Sequence, residues 1–176
     1  MVVKAKRLAI NVLKKHQQIL TIPPVDVKAI VKAEGLDVTE EDLEDEVSGL
    51  LVSKNGHHVI IINANHYLNR QRFTIAHELG HYLMHRNISN IFFDEALVFF
   101  RDKEAAEGTK LQEIEANAFA AELLMPESLL RKVVRKNPVD AFDDSEESLL
   151  TKTAKDFQVS VQALTIRLTR LGLISV

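Results

Sequence analysis

The segment His77-Glu78-Leu79-Gly80-His81 sets two imidazoles four residues apart, with a carboxylate between them. On an α-helix, positions i and i+4 lie one turn apart on the same side, so both rings can reach one ion at about 2.0–2.1 Å. Glu78 can then take a proton from an attacking water and later hand it to a leaving amine, while the ion polarises the carbonyl under attack. The spacing points to metal-assisted hydrolysis of a peptide bond. Five residues are a short signal, and the rest of the chain must supply a third ligand and a frame.

A catalytic zinc takes three protein ligands and keeps one open position. The chain has no cysteine, so every donor must be nitrogen or oxygen. Three of its seven histidines, His77, His81 and His85, fall within nine residues. His85 is eight residues after His77, about 12 Å along a continuous helix, which is too far to share the ion. It reads as a helix-terminal histidine or as a partner behind the ligands.

The later segment LQEIEANAFAAELLMP offers Glu113, Glu115 and Glu122. At about 100° per residue, Glu115 projects with Leu111, Ile114, Phe119, Leu123 and Met125, whereas Glu113 projects to the other side beside Asn117. A carboxylate on an apolar face must be paired or bound to metal. Glu115 is therefore the expected third metal ligand, with a structural salt bridge as its alternative. Glu122, two turns further on the same side, is the runner-up.

The elements that must position these residues are legible from periodicity and turn chemistry. Residues 3–19 are an amphipathic helix ending before Pro23-Pro24, and a short helix runs from Asp26, a capping residue, to Glu34 before Gly35. The acidic run Glu40 to Glu46 reads as a solvated face or loop. Residues 47–52 and 58–62 flank Asn55-Gly56, the signature of a type I′ hairpin, and form an antiparallel pair. The histidine helix spans about 69–85. A less regular segment, 88–108, is read as a loop with one short element. A helix over 110–124 stops at Met125-Pro126, and a short one follows over 127–136. Residues 140–147 carry five carboxylates and read as a linker. The segment from Ser148 reads helix, turn, helix, with Ser160 capping the second.

Composition bounds the class. With 176 residues, 46% of them hydrophobic, the chain can bury a core without staples. The 22 basic and 25 acidic residues give a formal charge of -3, which excludes a global basic field for nucleic acid. No apolar run approaches the roughly 20 residues of a bilayer span, and the lysine-studded start is not a signal peptide. The expected compartment is the cytoplasm, with no membrane partner.

These motifs together resemble the ImmA/IrrE family of metallopeptidases, intracellular zincin-like proteins often encoded by mobile elements or stress regulons. The resemblance covers roughly residues 5–130 and rests on PPVDVKAIVKAEGLDV, SGLLV…VIIIN, RQRFTIAHELGHYLMH and EIEANAFAAELLMP. It implies a zinc or manganese-type site on His77, His81 and Glu115, and Glu78 as the catalytic glutamate. It implies a metallo-endopeptidase whose substrate is a helix-turn-helix transcriptional repressor, so that the protein is an anti-repressor. One departure stands out. In better-known two-histidine, one-glutamate peptidases, an aspartate four residues after the ligand glutamate orients a histidine, and after Glu115 that place is Phe119. Tyr67, Arg72, His66 and the His57-His58 pair are the candidates by type for stabilising an oxyanion.

The expected fold class is α+β: a mainly helical zincin-like domain, residues 1–136, with a small antiparallel sheet, plus a helix-turn-helix-like segment, 148–176. Ser48 to Val52 is a strand edge on which a substrate could add. Lys152, Lys155, Arg167 and Arg170 against Asp156 make the last segment basic by three charges. That supports only a few phosphate contacts, so DNA binding ranks below packing on the catalytic domain or docking of the repressor. The competing functional readings are a protein that inactivates a repressor by contact alone and a DNA-binding regulator. Sequence alone assigns no oligomeric state.

Overall fold

The computed structural model describes residues 2–17, 22–85, 106–136 and 148–174. Of the expected loop at 88–108, residues 88–105 lie outside the described residues, as does the acidic linker at 140–147, and residues 106–108 are helical rather than loop. Seven helices and three strands are described: α1 (Val2–Lys15), α2 (Val27–Ala33), β1 (Asp37–Glu41), β2 (Gly49–Lys54), β3 (His57–Asn63), α3 (Leu68–His85), α4 (Ala106–Leu124), α5 (Glu127–Lys136), α6 (Leu149–Phe157) and α7 (Val161–Arg170). The α+β class holds, and the expected elements recur with boundaries shifted by a few residues.

Local chemistry explains most of the boundaries. Asp26 Oδ1 accepts the Ala29 N–H at 3.0 Å and starts α2. Ser148 and Ser160 do the same for α6 and α7, accepting from Thr151 and Ala163 at 3.1 Å. Asn55 and Gly56 have φ of 51° and 78°, the two positive values a type I′ turn requires, and β2 and β3 pair antiparallel from Lys54↔His57 to Gly49↔Ile62.

The sheet has a third strand that the sequence reading did not expect. β1 pairs parallel to β3, giving the order β1-β3-β2 and a mixed sheet. Its residues Asp37-Val38-Thr39-Glu40-Glu41 carry one apolar side chain that packs on the core, Val38, so no alternation announces them. The acidic run therefore divides. Glu40 and Glu41 end a strand, and the connection after it is gathered by Asn63, whose Nδ2 donates to the Leu43, Glu44 and Val47 carbonyls at 3.0–3.1 Å.

Helix α4 packs on both α1 and α3, and the sheet covers another side of α3. The α3–α4 approach depends on Gly80: a Cβ there would sit 3.1 Å from Phe119 Cδ1 and 3.3 Å from the Ala116 Cα. One buried cluster joins Ala5 and Ala9 of α1, Ile60 and Ile62 of β3, Ile75 and Leu79 of α3, and Phe119 and Leu123 of α4. It continues through Leu150, Phe157, Leu164 and Leu168, so α6 and α7 contribute to the same core. Among the described residues, no helix is long and apolar enough to cross a membrane.

Candidate metal centre

Helix α3 carries His77, Glu78, His81 and His85, and α4 crosses it with Glu113, Glu115 and Asn117. His77, His81 and Glu113 come together, with one donor atom of each within 4.8 Å of the others. The two Nε2 atoms are 2.9 Å apart, and the Glu113 oxygens lie 3.3 Å from His77 Nε2 and 3.2 Å from His81 Nε2. Donors at about 2.0–2.1 Å from a tetrahedral ion are about 3.3 Å from one another. With one carboxylate oxygen turned to each imidazole, the three side chains form a donor triangle compact enough to share one such ion.

The carboxylate brought to the two histidines is not the expected Glu115. Glu113, not Glu115, faces the two histidines, and Glu115 Oε2 instead lies 3.2 Å from His85 Nε2. The projection failed because it took the apolar face of α4 from Leu111 and Ile114, but Ile114 is 44% exposed. The residues that meet α3 include Glu113, Ala116 and Asn117, which carry little weight in a count of large apolar side chains. Counted from Glu113 rather than Glu115, the place four residues on is not Phe119. Four residues after Glu113 stands Asn117, whose Oδ1 accepts a hydrogen bond from His77 Nδ1 at 3.0 Å. The spacing Glu113-x-x-x-Asn117 was the overlooked signal.

The electrostatics fit a cation. Burial pushes the His77 imidazole down, but Glu113, the charge of Glu78 and the bond to Asn117 outweigh it and raise its pKa. The Glu113 carboxyl is held far below the usual carboxylate range by its bonds to His77 and His81, against the effect of burial. A group of donors that attracts a proton this strongly presents negative charge and lone pairs to one point, which is what a divalent ion needs. Burial pushes His85 down, against its bond to Glu115 and with the help of His81.

The remaining candidates have other surroundings. Glu122 is buried on α4 and pairs with Arg167 of α7, whose Nε also donates to the Met125 carbonyl at 3.2 Å. Arg167 is thus 3% exposed and not available to a phosphate backbone, while Arg170 faces outward. Arg72 is buried and donates to the Val25 carbonyl at 2.7 Å, His66 donates to the Asp45 carbonyl at 3.1 Å, and His58 bonds Ser53 at 2.7 Å. His57 is exposed at the hairpin turn. Tyr67 is 89% exposed and lines an apolar groove with Phe73, Met125, Val159 and Ala163. Phe73 in turn lies 6.1 Å, ring to ring, from His77.

A helix-borne HExxH crossed by a carboxylate-bearing helix, beside a small sheet, is the architecture of zincin-like metallopeptidases. The chain belongs to the ImmA/IrrE family of metallo-endopeptidases: residues 31–169 match the model of peptidase family M78, described as the IrrE N-terminal-like domain. That match extends past the resemblance read from the sequence and takes in α6 and most of α7. Among curated relatives, an uncharacterized immunity region protein 2 of Bacillus phage phi105 is 31% identical over 76% of this chain and 75% of its own length. Metallopeptidase ImmA of Bacillus subtilis is 28% identical over 62% of this chain and 59% of its own. Radiation response metalloprotease IrrE of Deinococcus radiodurans is 35% identical over 46% of this chain but only 23% of its own. The chain thus spans less than two thirds of either named metallopeptidase. A transcriptional regulator of Mycobacterium tuberculosis shares the fold, with a TM-score of 0.61 over 94% of this chain and 46% of that one at 13% identity.

Proposed function

We propose that this metallo-endopeptidase cleaves a helix-turn-helix transcriptional repressor, with His77, His81 and Glu113 holding a divalent cation and Glu78 moving the proton. The observation that carries the reading is the donor triangle of His77, His81 and Glu113, with one donor atom of each within 4.8 Å of the others. Zinc is the first choice for two imidazoles and a carboxylate, and manganese accepts the same donors. When bound, the cation supplies Lewis acidity toward water and toward the scissile carbonyl. Asn117 holds the His77 ring, so that its Nε2 faces the site. Glu78, half-buried beside His77 and close enough to act on its charge, takes the proton of the attacking water. It then delivers that proton to the amide nitrogen as the C–N bond breaks.

An extended substrate segment fits the edge of β2, which among the described residues pairs only with β3. That edge is tied to α3 where Arg70 donates to Ser48 Oγ at 2.8 and 3.2 Å, which keeps the strand in step with the histidine helix. The repressor as substrate rests on the sequence resemblance and on the phage relative's name as an immunity region protein. Such a substrate places the reaction in the cytoplasm.

The test is incubation of the chain, loaded with zinc or manganese, with each helix-turn-helix repressor of the same genome, followed by mass spectrometry of the fragments. A defined cut is expected, abolished by chelator, and Glu78→Gln should lower its rate at least about 100-fold while metal binding persists. A repressor that loses its DNA affinity without being cut, or a Glu78→Gln variant that cuts normally, would overturn the reading.

A further inference from the structure

The proposed ligand His81 does not end at the site: its second nitrogen leads into a buried chain of two hydrogen bonds. His81 Nδ1 lies 3.2 Å from His85 Nδ1, and His85 Nε2 lies 3.2 Å from Glu115 Oε2. The His85 side chain is 4% exposed and that of Glu115 15%, so both are withdrawn from water and depend on each other for partners. The three histidines form one stripe along α3 at positions i, i+4 and i+8. Only the first two face the donor triangle.

With Glu115 ionised and His85 neutral, the chain of bonds allows one arrangement of protons. An ionised carboxylate can only accept, so His85 must carry its proton on Nε2. A neutral His85 ring then has a lone pair on Nδ1 and can only accept there. His81 must therefore donate from Nδ1, which leaves the lone pair of its Nε2 directed at His77 and Glu113. That is the tautomer a metal ligand requires. Read in the reverse direction, the negative charge of Glu115 is relayed through His85 to make His81 Nε2 a stronger donor. Asn117 does the corresponding service for His77.

We propose that His85 and Glu115 are positioning residues that fix the tautomer and orientation of His81 for cation binding. The inference rests on the assignment of His81 as a ligand in the preceding section. Loss of His85 should weaken the site without removing a ligand, by the roughly 10–100-fold in metal affinity typical of partners behind a ligand.

Two measurements test it on the full chain. In the zinc-loaded protein, long-range proton–nitrogen NMR should show His81 protonated on Nδ1 and His85 on Nε2; the opposite tautomer at His85 would overturn the relay without any mutation. Zinc affinity, read by competition with a chromophoric chelator, should fall roughly 10–100-fold in His85→Phe, which fills the space without accepting. His85→Asn should recover much of that loss, because its Oδ1 stands near the place of Nδ1. Equal losses in both variants would show packing rather than a relay, and no loss in either would show that His85 has no part in binding. Were the unsubstituted protein not to bind zinc or manganese at all, the metal reading itself would fall and the relay with it.

Discussion

Glu113 and Glu115 are two residues apart on one helix, yet they meet different histidines. Glu113 spans His77 and His81, and Glu115 reaches only His85. Removing the first takes away a donor, while altering the second perturbs a donor from behind. Glu113→Ala should therefore abolish zinc retention through gel filtration and dialysis against a weak chelator. Glu115→Gln keeps an acceptor for His85 and should retain the ion with a lower affinity. Isothermal titration of both variants separates them, and a Glu115 variant that loses the ion while the Glu113 variant keeps it would restore the ligand set expected from helical projection.

The α3–α4 crossing is what turns these separate side chains into a site. Gly80 lies between His77 and His81 in sequence, on the side of α3 that touches Ala116 and Phe119. The space there is already tight for a Cβ, and the backbone of α4 cannot give way as a flexible side chain would. Gly80→Val should push the helices apart, costing about 1–3 kcal/mol in urea unfolding by overpacking alone. Metal affinity should fall with it, because Glu113 moves with α4. A variant as stable as the parent with unchanged metal binding would show that the crossing does not depend on this contact. The caps and the hairpin turn, by contrast, act within a few residues and are legible without any partner element. Strand β1 was not legible for the opposite reason. Its acidic residues acquire strand geometry only by pairing with β3, and their sequence carries no apolar alternation.

Across the whole molecule, the buried Glu122–Arg167 pair joins α4 to α7, and Arg167 also satisfies the Met125 carbonyl where α4 ends. Two charges this buried are costly to separate, because the survivor is left without water or counterion. Arg167→Ala should destabilise the protein by about 3–5 kcal/mol in denaturant unfolding. Arg170→Ala, on the exposed side of the same helix, should change it by no more than about 0.5 kcal/mol. Equal effects would contradict the inward role of Arg167. The four basic residues that had suggested DNA contact are thereby reduced in number: one of them is a structural tie.

What the sequence by itself determined was local. Two histidines and a glutamate on one helical turn, a capping aspartate and two capping serines, and an Asn-Gly turn depend on neighbours within a few residues, so their spacing is enough to place them. The third carboxylate, the relay through His85 and Glu115, the parallel strand and the burial of Arg167 were decided by the tertiary structure. Each depends on which face one element turns to another, and that choice is made by packing across the whole core. On α4 it was made by Ala116 and the facing Gly80, whose small size is the reason the helices approach closely enough for Glu113 to reach the histidines.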